Sequence, residues 1–269
     1  MNLTSYSEIQ QLLKSEGFRF SKSMGQNFLI ADWVPRDIAD SALLDENTTV
    51  LEIGPGIGCL TYELSKRAGK VVSVELDRSL MPILAQTLKG CENTEVIFGD
   101  IMKMELPDAD RVCANLPYNI TSPVLTKLIK SGKYESITVM IQKEVAKRIC
   151  AKAGEDDYSA FGIMVQWYTD PEILFDVPPG CFMPQPKVTS SVIRLTKRAE
   201  RPAQVKDEEQ MFRLVRAAFN QRRKTLVNAL SAVIDRETAA AAIEKAGLDN
   251  KIRGEMLSIG DFAQISDNI

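Results

Sequence analysis

The chain of 269 residues contains no histidine. That absence removes Ser-His-Asp and Cys-His nucleophilic mechanisms together with nearly every zinc or non-haem iron site. Any chemistry here proceeds without an imidazole. Cysteines are few and scattered: Cys59, Cys91, Cys113, Cys150 and Cys181 lie 22 to 37 residues apart with no CxxC pair. This spacing suits neither a metal knuckle nor a redox dithiol; they read as small buried apolar residues of a reducing cytosol. No apolar run approaches membrane-spanning length. The opening stretch reads as a short amphipathic helix with Ile9, Leu12 and Leu13 on one side, not as a signal peptide. A cytoplasmic protein is expected, with no membrane partner and no metal.

What is present is a core and an uneven charge. Hydrophobic residues make up 45% of the chain and charged residues 26%, which excludes a disordered chain and allows one large domain or two. The net charge of -3 hides an asymmetry: residues 45–110 hold 6 basic and 12 acidic side chains, residues 187–228 hold 11 basic and 4 acidic. Such a distribution can mark an electropositive binding face; a solvated helical surface would give the same counts.

Between Thr49 and Thr196, β-rich runs alternate with helical stretches, the pattern of a doubly wound α/β sheet. Seven strands are predicted, at 50–53, 71–75, 95–98, 111–115, 137–141, 172–177 and 191–195. Helices fit 60–68, 79–88, 122–131, 143–153 and 159–168. After Arg201-Pro202 the strand signal stops, and Met211, Leu214, Val215, Ala218 and Phe219 recur at helical spacing. The division expected is therefore a Rossmann-like domain over 1–202, with a helical extension at 1–30, followed by a small all-helical domain over 203–269. Helices are predicted there at 207–219, 225–234 and 237–246, with Gly247 as a stop.

The run Val50 to Gly58 is a buried strand entering a glycine turn, and Glu75 closes the next strand 21 residues after Gly54. In a doubly wound sheet these meet at the carboxyl edge, where a nucleoside ribose can lie. A dinucleotide fingerprint needs glycine at position 59; that position is Cys59, and the third glycine falls one place early, at Gly58. A cofactor without pyrophosphate suits the turn better. Asp100 adds a carboxylate able to accept from an adenine amine, and with Glu52 and Glu75 it makes an acidic pocket that repels phosphate and tolerates a sulfonium. S-adenosyl-L-methionine fits. Asp77 reads as a loop acid or helix cap. Taken alone, the glycines also fit a plain strand-to-helix turn.

At the end of the fourth predicted strand stand Asn115, Leu116, Pro117 and Tyr118. An amide oxygen, a backbone carbonyl and a flat aromatic face suit the exocyclic amine of a planar base. Its two hydrogens can go to the Asn115 oxygen and the Leu116 carbonyl, which turns the nitrogen lone pair toward an electrophile while Tyr118 stacks on the ring. The plain alternative is a strand end with a proline turn and a packed tyrosine.

The segments 25–29 (GQNFL), 52–58 (EIGPGIG), 74–75 (VE), 99–100 (GD), 115–120 (NLPYNI), 142–146 (QKEVA) and 182–188 (FMPQPKV) together resemble the ribosomal RNA adenine N6,N6-dimethyltransferases, a class I S-adenosylmethionine-dependent family. The fuller run 115–123, the tract 220–226 and the ending 253–258 resemble the small-subunit (16S), kasugamycin-resistance-type branch more than the macrolide-resistance branch that modifies large-subunit (23S) rRNA. One departure is 158–162 (YSAFG), where a more polar, Arg-containing segment is expected.

The resemblance implies that Asn27 and Leu29 border the cofactor, that Gly54 and Gly56 contact it, that Glu75 binds its ribose and Asp100 its adenine. Asn115 is then shared between cofactor pocket and catalysis. It further implies that Phe182 forms a second aromatic face for a flipped adenine; its other reading is a core Phe pinned by two prolines. Lys22, Lys143, Lys147, Arg148, Arg222, Arg223 and Lys224 are candidates for phosphate contact. The implied substrate is two adjacent adenosines in a hairpin loop of 16S rRNA, within an immature 30S particle, modified by a monomeric enzyme. Competing classes are a small-molecule methyltransferase, a dehydrogenase and a non-catalytic assembly factor.

Overall fold

A computed structural model describes residues 1–21 and 24–269. The chain forms two compact units, residues 1–146 with 170–197, and residues 147–169 with 198–269.

The first unit is built on a mixed seven-stranded sheet. In addition to β1 (Phe28–Leu29) and β8 (Phe182–Met183), the strands are β2 (Thr49–Ile53), β3 (Lys70–Glu75), β4 (Thr94–Phe98), β5 (Arg111–Asn115), β6 (Ser136–Gln142), β7 (Thr169–Val177) and β9 (Ser190–Lys197). All seven strands predicted from the sequence are present, and their order is β4-β3-β2-β5-β6-β9-β7. The pairings among β2, β3, β4, β5 and β6 are parallel, and β9 joins β6 antiparallel. Parallel strands covered on both faces need apolar residues throughout; accordingly Val50, Leu51, Val112, Cys113 and Ala114 are fully buried. The chain runs outward from β2 through β3 to β4 and then returns to β5 on the other side of β2. That reversal opens a crevice beyond the carboxyl ends of β2 and β5.

Three elements of this unit escaped the sequence reading. Helix α2 (Trp33–Ser41) buries Val34, Ile38 and Ala39. The two-residue strand β1 pairs antiparallel with β8, Phe28 opposite Met183 and Leu29 opposite Phe182. The N-terminal helix α1 (Tyr6–Ser15) does bury Ile9, Leu12 and Leu13 as its amphipathic pattern requires.

The second unit is helical, and its limits differ from a division at 202. It takes in 147–169 because Tyr158, Ile163 and Trp167 share one core with Met211, Phe212 and Phe262. Helix α7 (Ala160–Tyr168) is capped by Ser159, whose Oγ accepts from Gly162 N at 3.2 Å. A Cβ on Gly162 would stand 2.2 Å from the Arg148 carbonyl oxygen. The unusual 158–162 segment thus serves this core: Tyr158 is buried and its hydroxyl donates to Leu257 O at 3.0 Å. Helices α8 (Glu208–Asn220), α9 (Leu226–Leu230) and α10 (Arg236–Lys245) follow the sequence pattern. A further one, α11 (Ile259–Asp267), starts with a Ser258–Asp261 capping box.

Candidate active site

The turn after β2 is shaped by glycine. Gly54, Gly56 and Gly58 have φ of 72°, 59° and 91°, a region that side chains with a Cβ avoid. A Cβ on Gly56 would lie 3.1 Å from the Phe28 ring. Glu75, at the end of β3, accepts from Gly56 N at 3.2 Å through Oε2 and from Asp77 N at 2.8 Å through Oε1. Burial raises its carboxyl above the usual range, and these backbone bonds oppose the rise. Asp77 caps the short turn after it, accepting from Ser79 N at 3.0 Å. Asp100 accepts from Met102 N at 2.9 Å, and the loop it begins is held by Lys127, whose Nζ donates to the Ile101, Met102 and Met104 carbonyls at 2.7 to 3.2 Å.

Gly54, Gly56, Glu75 and Asp100 face one cavity of about 270 Å³. Asn27, Leu29, Gly54, Gly56, Glu75, Asp100 and the Asn115–Tyr118 tip all line it, so residues far apart in the chain meet at one cavity. Asn115 is half-buried, and its Nδ2 donates to Asn27 O at 3.4 Å. Its Oδ1 receives no donor among the described residues and remains an acceptor. The Tyr118 hydroxyl lies 2.6 Å from Ser190 Oγ. Burial pushes the Tyr118 phenol up, against the opposing Ser190 bond, so the ring is a neutral face at ordinary pH.

The sequence reading missed how the 24–29 segment is fastened. Gln26 Nε2 donates to Asp77 Oδ2 at 2.6 Å. A Cβ on Gly25 would sit 2.9 Å from Asn119 Oδ1. Ser190, too, carried no signal of its own, since its partner Tyr118 is 72 residues away.

Several expected residues stand elsewhere. Phe182 is only 3% exposed, belongs to the core of the first unit and is not among the residues that line the cavity. The structure thus shows Phe182 packed as a core phenylalanine, and a second aromatic face for a flipped adenine stays what the resemblance implies. Arg222 is not a free phosphate contact: its Nε pairs with Glu255 at 2.6 Å and its guanidinium donates to Asp156 O at 2.6 Å. Lys143 pairs with Asp176. Lys147, Arg148, Arg223 and Lys224 are exposed, while Lys22 lies outside the described residues.

A sequence profile described as Ribosomal RNA adenine dimethylase matches residues 17–269. The chain belongs to this family. Among relatives of the dimethylase is a Ribosomal RNA small subunit methyltransferase A from Clostridium perfringens, 47% identical over 268 residues, covering 97% of this chain and 94% of that protein. A protein of the same name from Geobacillus thermodenitrificans is 44% identical, covering 96% and 94%. Among solved structures, a dimethyladenosine transferase from Plasmodium falciparum superposes with a TM-score of 0.78 at 26% identity, covering 88% of the dimethylase and 95% of that chain. The 23S rRNA methyltransferase ErmE gives 0.71 at 28%, covering 90% and 99%. The dimethylase is thus an rRNA-modifying methyltransferase with a Rossmann-like sheet.

Proposed function

We propose that this dimethylase transfers methyl groups from S-adenosyl-L-methionine to the N6 amines of two adjacent adenosines in a hairpin loop near the 3' end of small-subunit (16S) rRNA. The observation that carries the reading is the Asn115 side chain, which lines the cavity beside the glycine turn: its Nδ2 donates one hydrogen to Asn27 O at 3.4 Å, and its oxygen receives no donor among the described residues. Relatives named for the small subunit, 44 to 47% identical over nearly the whole chain, favour this substrate over the large-subunit one, for which ErmE offers 28%.

The residues present fit the cofactor. Glycine at 56 leaves room where a Cβ would meet Phe28 at 3.1 Å, Glu75 offers a buried carboxylate for a ribose diol, and Asp100 stands at the cavity wall. When bound, the cofactor supplies a methyl group on a positively charged sulfur. Asn115 Oδ1 and the Leu116 carbonyl hold the two hydrogens of the adenine amine, which frees the nitrogen lone pair for in-line attack. Tyr118 supports the base ring. Once nitrogen bonds to carbon its extra proton is acidic enough to leave without an imidazole.

The substrate in this reading is rRNA inside an immature 30S particle, with a base splayed from a loop, since an adenine within a stem is out of reach. The enzyme acts as a monomer in the cytoplasm and without metal. The test is incubation with unmethylated small subunits and methyl-labelled cofactor, followed by mass mapping. Dimethylation of two neighbouring adenosines is expected; label confined to 23S rRNA or to a small molecule overturns the reading. Asn115→Ala should abolish labelling and keep particle binding.

A further inference from the structure

Every charged side chain among the described residues lining the cavity is a carboxylate: Glu52, Glu75 and Asp100. The proposed function gives Glu52 no part in holding ribose, adenine or base. It is 1% exposed, the next-to-last residue of β2, two positions before Gly54. Thr61 Oγ1 and Ser73 Oγ both donate to its Oε2 at 2.7 Å, and Oε1 receives no donor among the described residues.

The titratable groups around it supply no compensating cation. From β3 comes Glu75, whose charge repels it. The thiols of Cys59 on α3 (Cys59–Ser65) and Cys113 on β5 are pushed up by their burial and further by Glu52, so both stay neutral. Arg67, whose field reaches Cys113, is held by Asp40 and Glu63. Burial pushes the Glu52 carboxyl up to about 7, against the Ser73 and Thr61 bonds and with the Glu75 repulsion. A buried carboxyl facing an acidic cavity is thus poised between its two charge states, and the charge of whatever fills the cavity tips the balance.

We propose that Glu52 makes the cavity discriminate by ligand charge, ionising and releasing its proton when the cationic sulfonium donor binds and remaining protonated over the neutral thioether product. The inference rests on the placement of the methyl donor in this cavity. After transfer the positive charge is gone from the cofactor, and Glu52 recovers a proton from solvent. Below pH 7 donor binding has to expel that proton; by pH 8 the carboxyl is ionised with either ligand and its charge favours donor over product outright, so product inhibition is relieved more as pH rises.

Titration calorimetry on the full-length protein at pH 6.5, in buffers of different ionisation enthalpy, tests this directly. S-adenosylmethionine should release about half a proton, and S-adenosylhomocysteine none, if the cation lowers the carboxyl by about one pH unit. The donor-to-product affinity ratio should rise about fivefold from pH 6 to pH 8. In Glu52→Gln, whose amide oxygen can still accept from Thr61 and Ser73, the release should vanish and the ratio should become flat with pH. Thr61→Val, which removes one bond to the charged form, should move the release maximum to higher pH. Donor binding without proton release, equal release by both ligands, or release that survives in Glu52→Gln overturns the inference and leaves the methyl-donor reading intact. A donor that does not bind at any pH overturns both.

Discussion

The Tyr118 hydroxyl and Ser190 Oγ stand 2.6 Å apart, joining the tip after β5 to the first residue of β9. Ser190 is fully buried, so the bond anchors the hydroxyl end of a side chain whose residue lines the cavity. Ser190→Ala should slow methyl transfer several-fold, about 0.5–1.5 kcal/mol for one hydrogen bond, with cofactor affinity unchanged. Tyr118→Phe should do the same, and the double variant should be no worse than either. Single-turnover rates on small subunits for the four proteins of this cycle decide the matter: additive losses would mean that the two residues act independently.

Gly56 combines φ of 59° with a projected Cβ contact of 3.1 Å to Phe28. Gly56→Ala should weaken cofactor binding at least tenfold, in addition to about 1–2 kcal/mol of backbone strain. Gly90 has φ of 95° with nothing within 4 Å of its projected Cβ. Gly90→Ala should cost stability alone, and equilibrium dialysis beside thermal melts separates the two.

Glu52 also sets a pH dependence of folding. Its native carboxyl is raised to about 7 from an ordinary 4.5, so between those values the folded chain holds a proton that the unfolded chain releases. The stability attached to that proton is complete below pH 4.5 and falls as pH rises through 7, by about 3 kcal/mol. Glu52→Gln removes this decline. Urea titrations at pH 5 and pH 8 should show the variant gaining on the wild type at the higher pH.

Reversing the charge of Arg223 and Lys224, both exposed, should lower affinity for small subunits, flatten its salt dependence and leave the melting temperature alone. Arg222→Glu should lower the melting temperature as well, because Arg222 bridges Glu255 and Asp156 O within the helical unit. Filter binding at several salt concentrations, paired with melts, reads both effects.

Much of the sheet was legible because its signals are local. Runs such as 137–141 are apolar but for Thr138 and buried throughout, as a strand covered on both faces requires, and the Gly54–Gly58 turn is dictated by backbone conformations that few other residues adopt. β1 and β8 were not legible: two residues carry no periodicity, and their pairing spans more than 150 positions. Helix α11 left a readable trace in its Ser258–Asp261 cap, passed over because the segment was read only for its motif.

The amino-acid order alone determined which residue types converge at the sheet's carboxyl edge, since the order of strands and glycine turns carries Gly54, Glu75, Asp100 and Asn115 there whatever the packing details. Only the tertiary structure decided which of the nominated side chains are free to act. Phe182 and Arg222 have the right chemistry, but the first is packed in the core of its unit, and the guanidinium of the second is ion-paired with a carboxylate and donates to a backbone carbonyl. Exposure and partnership are properties of neighbours brought from far along the chain, and no local pattern encodes them.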